Sequence, residues 1–181
     1  MKHKMSMGLI CAVAAGSMAF PFAANAADGT ITFNGSITAQ TCTVSAASAN
    51  LTVTLPTVSV GSLTQTGQTA GNTPFSISLT GCAPASGTVH TFFEAGSTTS
   101  ADGHLSLTGG AGSAGNVKID LRNSDGSEIV AGAADASQNS LPVNIAADGT
   151  ATLNYTAQYV ATGAATAGTA NSTVQFTMVY Q

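Results

Sequence analysis

The chain has 181 residues, only 7% of them charged, and two of its four basic residues, Lys2 and Lys4, stand at the very start. Beyond residue 26, Lys118 and Arg122 face eight acids, a balance of 2 − 8 = −6. Two cations are too few to neutralise a run of phosphates or to hold an anionic membrane surface, so neither nucleic acid nor such a surface is an expected partner.

The first 26 residues read as a secretory signal peptide. Lys2 and Lys4 precede the apolar and small stretch Met7–Phe20, and Ala24-Asn25-Ala26 supplies a small-x-small cleavage site. The apolar run is shorter than the roughly 18 residues that mark a membrane span. Export is therefore expected, with a mature chain of residues 27–181 forming one domain of ordinary size.

After the leader the pattern alternates with period two, the mark of half-buried strands, and no sustained helical period appears. Ile31, Phe33, Ile37 and Ala39 share one face of the first run, with Gly35 interrupting that face. Glycine inside a strand weakens it and often marks a bulge or a close approach by another group. The run reads either as an ordinary first strand bulged at Gly35 or as a strand used elsewhere, and periodicity alone does not choose. Next come Cys42 and Cys82, an even pair in an exported chain once Cys11 leaves with the leader, which predicts a disulfide rather than a metal or reactive pair.

Phe75, Ile77 and Leu79 form the next alternating run. His90 alternates with apolar neighbours in Val89–Phe93 and reads as a strand-surface histidine, while His104 follows a turn glycine and reads as solvated. Val117, Ile119 and Leu121 lead through Asp125-Gly126 toward Ile129, predicting a hairpin. Leu141, Val143 and Ile145 lead through Asp148-Gly149 to Leu153, Tyr155, Ala157 and Tyr159, predicting another. The last run is Val174, Phe176, Met178 and Tyr180. About seven short strands with such turns predict an all-β antiparallel sandwich of the immunoglobulin-like kind, although the chain has no Trp for a Cys…Trp…Cys core.

Catalytic chemistry finds little support. There is no G-x-S-x-G, no phosphate-binding P-loop and no H-E-x-x-H. The Asp120–Glu128 segment fails as a calcium loop, because with Gly126 as the loop glycine the first ligand position falls on Leu121. No catalytic, cofactor or metal residue is expected.

Three stretches together carry a family likeness: Ala27-Asp-Gly-Thr-Ile-Thr-Phe-Asn-Gly35, the Cys42/Cys82 pair, and Tyr159 to Gly168 followed by Phe176 and Tyr180-Gln181. With its penultimate Tyr and a Gly fourteenth from the end, the chain resembles the pilin subunits of chaperone–usher fimbriae, close to the type 1 group. The resemblance implies an incomplete immunoglobulin-like sandwich lacking its final strand. It implies a donor extension over residues 27–39, with Ile31, Phe33, Gly35 and Ile37 facing a neighbour's groove, ahead of a pilin domain over 40–181. It also implies that the C-terminal stretch carrying Gly168, Val174, Phe176, Met178 and Tyr180 belongs to the groove and the chaperone docking surface. The implied partners are neighbouring pilin subunits, a periplasmic chaperone and an outer-membrane usher, and the implied destination is the cell-surface fimbrium. A shaft subunit is favoured over a minor or adaptor one. A tip adhesin would carry a lectin domain ahead of the pilin domain, for which this chain has no room.

Overall fold

The computed structural model describes residues 29–181, so the expected signal peptide lies outside the described residues. Residues 29–36 form a unit separate from 37–181 and contain no helix or strand.

The second unit is a sandwich. Its strands are β1 (Thr41–Val44), β2 (Thr69–Ala83), β3 (Thr88–Phe93), β4 (Leu105–Ser106), β5 (Val117–Asn123), β6 (Glu128–Ile129), β7 (Val143–Asn144), β8 (Ala151–Ala161) and β9 (Phe176–Tyr180). Short helices α1 (Ala46–Ala49) and α2 (Asp135–Gln138) connect them. One sheet runs β1-β2-β8-β5, with β4 and β6 sharing the far edge of β5; the other runs β7-β3-β9. All pairings in both sheets are antiparallel.

Alternation decides which face is buried. Ile77 and Leu79 of β2, Ile119 and Leu121 of β5, and Leu153, Tyr155 and Ala157 of β8 turn inward, where they meet Val89 and Phe93 of β3. Phe93 meets Tyr155 edge to face at 5.5 Å, a favoured aromatic geometry. The Tyr155 hydroxyl donates to Thr91 Oγ1 at 2.9 Å, so this aromatic is satisfied across the layers. Gln138 lies wholly buried beside the end of β3, accepting from Phe93 N–H and donating to its carbonyl at 2.6 and 2.9 Å. The Cys42–Cys82 disulfide forms as expected and joins β1 to β2 beside a bulge. Gly81, at φ 62°, sits in that bulge, in a conformation that favours glycine.

Three local expectations are corrected. The Asp125-Gly126 hairpin is present, with Leu121 opposite Ile129. The Asp148-Gly149 turn also closes, through Ala146 N–H to Thr150 O at 2.8 Å, but its arms do not pair. β7 joins β3 and β8 joins β2, because Ile145 and Leu153 are both buried where the chain crosses between layers. His90 is buried rather than on the strand surface: α2 covers the outer side of β3 and brings Asp135 Oδ1 within 2.8 Å of His90 Nε2. His104 is half-buried against carboxylates rather than solvated.

Gly168 lies eight residues before β9, outside the strand. A Cβ there would stand 2.3 Å from Ala114 N and 2.4 Å from Ser113 C, both backbone atoms with little room to move. The close approach is fixed by Thr169 N–H to Gly112 O at 2.8 Å and Ala114 N–H to Thr169 O at 2.9 Å. Gly168→Val is expected to destabilise by about 1–3 kcal/mol through overpacking. That would lower Tm by roughly 2–12 °C, measurable by thermal denaturation; an unchanged Tm would contradict the close packing.

Candidate functional site

The sandwich is open along one side of β9. This strand pairs with β3 over Phe176–Tyr180, and among the described residues no strand pairs with its other edge. Facing the open side is the stretch 50–58, where Leu51, Val53 and Leu55 alternate with threonine and none of the backbone groups makes a backbone hydrogen bond among the described residues.

Between these two walls runs an apolar cleft of about 330 Å³. Its walls are Leu51, Val53 and Leu55 on one side and Thr173, Val174 and Phe176 on the other. Its floor is the core itself: Phe75 and Ile77 of β2, Phe93 of β3, Ile119 and Leu121 of β5, and Ala157 of β8. No residue lining it is ionisable. The alternation of Val174, Phe176, Met178 and Tyr180 buries each of these residues only in part, because one flank of their strand has no cover. Each open wall presents backbone donors and acceptors, which a protein rarely leaves unpaired when they are buried. The geometry accepts one extended strand that pairs on both sides and places every second side chain on the floor.

The residues expected to act as donor are far from buried. Ile31, Phe33 and Ile37 are 81%, 88% and 101% exposed. Gly35 has nothing within 4 Å of the place where a Cβ would stand. Residues 29–39 form no strand, so the reading of this run as an ordinary bulged first strand finds no support. Burial begins at Gln40, whose side-chain amide donates to the carbonyls of Pro84 and Ser86.

The structure also joins two expected sites. The Tyr180 hydroxyl accepts from Cys42 N–H at 3.1 Å, tying the end of β9 to the disulfide. The wall at 50–58 is the functional element that the sequence reading missed. Its signal was present in Leu51-Thr-Val-Thr-Leu55, a period-two run of five residues.

Comparison with known proteins decides the family. Residues 55–181 match the family model described as type-1 fimbrial protein, A. The chain belongs to the type-1 fimbrial protein family. It is 47% identical over 167 residues to the major fimbrial subunit SMF-1 of Stenotrophomonas maltophilia (strain K279a), covering 90% of this chain and 98% of that protein. It is 45% identical over 159 residues to the F17 fimbrial protein of Escherichia coli, covering 85% and 88%. The crystal structure of the P pilus rod subunit PapA shares the fold, with a TM-score of 0.57 at 21% identity, over 77% of this chain and 99% of that one. This fimbrial chain is thus a structural subunit of a cell-surface polymer and not an enzyme, with an incomplete immunoglobulin-like sandwich.

Proposed function

We propose that this fimbrial chain is a shaft subunit, and that its cleft receives residues 27–39 of the next copy. The observation that carries the reading is the pairing of opposites in one chain. An apolar cleft lies between two unpaired backbone edges, and ahead of Gln40 stands an exposed, alternating apolar segment. Placed in a neighbour's cleft, Ile31, Phe33 and Ile37 would bury three large side chains, worth roughly 5–9 kcal/mol. Ladder hydrogen bonds would add about 0.5–1.5 kcal/mol each, offsetting the entropy lost in ordering the segment. Gly35, lacking a side chain, would sit over a shallow part of the floor.

Before assembly the same cleft needs a temporary occupant, since an exposed apolar surface with free strand edges invites aggregation. A periplasmic chaperone lending a strand fills that role in this reading, and an outer-membrane usher is where the exchange takes place. The C-terminal wall with Val174, Phe176, Met178 and Tyr180 is the edge against which either strand would pair.

Deleting residues 27–39 tests the proposal. Co-expressed with its chaperone, the shortened chain is expected to stay soluble as a chaperone complex, to accept a donor, and to form no fibres of its own. Electrophoresis of unboiled samples reads this as the loss of the subunit ladder. Normal polymerisation of the shortened chain would overturn the donor assignment.

A further inference from the structure

Outside the cleft, the strongest cluster of chemistry lies on the opposite face of the larger sheet. β4 and β6 lie along one edge of β5 and meet at Asp120: Leu105 faces Ile119 and Leu121 faces Ile129. His104 continues β4 to a place opposite Asp120, and Glu128 faces Arg122. All three project away from the core face that carries Ile119 and Leu121. A nitrogen of His104 and one oxygen each of Asp120 and Glu128 lie within 4.8 Å of one another.

We infer that His104, Asp120 and Glu128 form a binding site for a divalent transition metal of the zinc type. Proximity of acids alone would carry nothing; the second observation is Asp120 itself. Asp120 is fully buried and its Oδ1 has no hydrogen-bond partner. The other oxygen, Oδ2, accepts from Arg122 Nε at 2.7 Å and from Gln158 Nε2 at 2.8 Å. The carboxylate is therefore locked in place with one oxygen bare. Outer hydrogen bonds of this kind orient metal-binding carboxylates.

The histidine is arranged to match. Its Nε2 stands 3.2 Å from Glu128 Oε1, close to the roughly 3.3 Å that separates two ligands held about 2.0 Å from a tetrahedral zinc. Its Nδ1 is buried without a hydrogen-bond partner, 3.4 Å from Asp102 Oδ2. The neighbouring cations are engaged elsewhere: Lys118 Nζ is 2.7 Å from Asp102 Oδ2, and Arg122 is on Asp120 Oδ2. Glu128 has no lysine or arginine partner among the described residues, so its charge remains for a metal to balance. One imidazole and two carboxylates suit zinc and related ions, with a fourth position for water. Such an ion would pin the two-residue strands β4 and β6 to β5.

The test uses the full exported chain, stripped with a chelator and titrated with zinc chloride in a calorimeter. One zinc per chain is expected, with a rise in Tm. Cobalt in place of zinc is expected to give visible bands of a site with imidazole ligation. His104→Ala and Glu128→Gln are each expected to weaken zinc binding about 100-fold. Asp135→Asn, which alters the other histidine–carboxylate pair at His90, is expected to leave binding unchanged. No saturable zinc uptake by the unaltered chain, or cobalt bands without imidazole character, would overturn the assignment. Wild-type affinity in both His104→Ala and Glu128→Gln would do the same. The two cobalt outcomes decide the matter even if a variant fails to fold.

Discussion

A subunit carrying Phe33→Asp is expected to fail to join a growing fibre, because joining requires its segment 27–39 to enter the cleft of the subunit before it. Phe33 is 88% exposed in the single chain, so the substitution leaves the sandwich beyond Gln40 untouched and alters only what the segment offers a neighbour. The cleft floor of Phe75, Ile77, Phe93 and Leu121 has no polar group to meet a carboxylate. The variant forfeits about 1.5–3 kcal/mol of apolar burial. It also bears several kcal/mol for placing an unpaired charge in an apolar site. A total near 5 kcal/mol corresponds to a loss of roughly 10³–10⁴ in the complementation equilibrium. The variant's own cleft is intact, so it still accepts a normal donor; mixed with unaltered subunits it is expected only at the first position of a fibre. The control is the opposite face of the same run. Thr32→Asp is expected to assemble nearly as well, because successive side chains of a strand point to opposite sides. Equal ladders from Phe33→Asp and the unaltered chain, or equal arrest by the two aspartates, would contradict the donor face.

The contrast between these two positions shows what alternation can and cannot convey. A period of two identifies a face, and it found β2, β5, β8 and β9 because each has one side against the core. It carries no record of which molecule covers that face. Ile31, Phe33 and Ile37 alternate as regularly as Phe75, Ile77 and Leu79, yet the first three are exposed. Family resemblance was needed to separate them. Pairing partners were illegible for a similar reason: Asp148-Gly149 marks a real turn, but only the position of two sheets in space sends its arms to different layers. His90 looked like a surface residue because α2, the element that covers it, is four residues long and too short for any periodicity to register. The cluster around Asp120 escaped because a scan for a metal loop runs along the chain. His104, Asp120 and Glu128 come together through strand register, across 24 positions of sequence.

Removing the Cys42–Cys82 bridge is expected to act on the cleft as much as on stability. The bridge closes a loop of 40 residues, which on the chain-entropy model stabilises the fold by about 4 kcal/mol. The double variant Cys42→Ser/Cys82→Ser is accordingly expected to lose roughly 8–16 °C in Tm. The closed loop contains the whole of the wall at 50–58, which makes no backbone hydrogen bond among the described residues. That wall is held at its near end by α1, where Ser78 N–H donates to Ser48 Oγ at 3.0 Å, and at its far end by Leu63, whose carbonyl accepts from Ala165 N–H at 2.9 Å. The other wall depends on the same bridge, since the Tyr180 hydroxyl accepts from Cys42 N–H. Loss of the covalent link thus loosens both edges that an incoming strand must meet, raising the entropy lost on capture. The expected signature is a fall in donor-strand affinity for a peptide of residues 27–39, measured well below the variant's own Tm, where the sandwich is still folded. A variant with lowered Tm but unchanged peptide affinity would confine the bridge to stabilising the domain and leave the cleft walls independent of it.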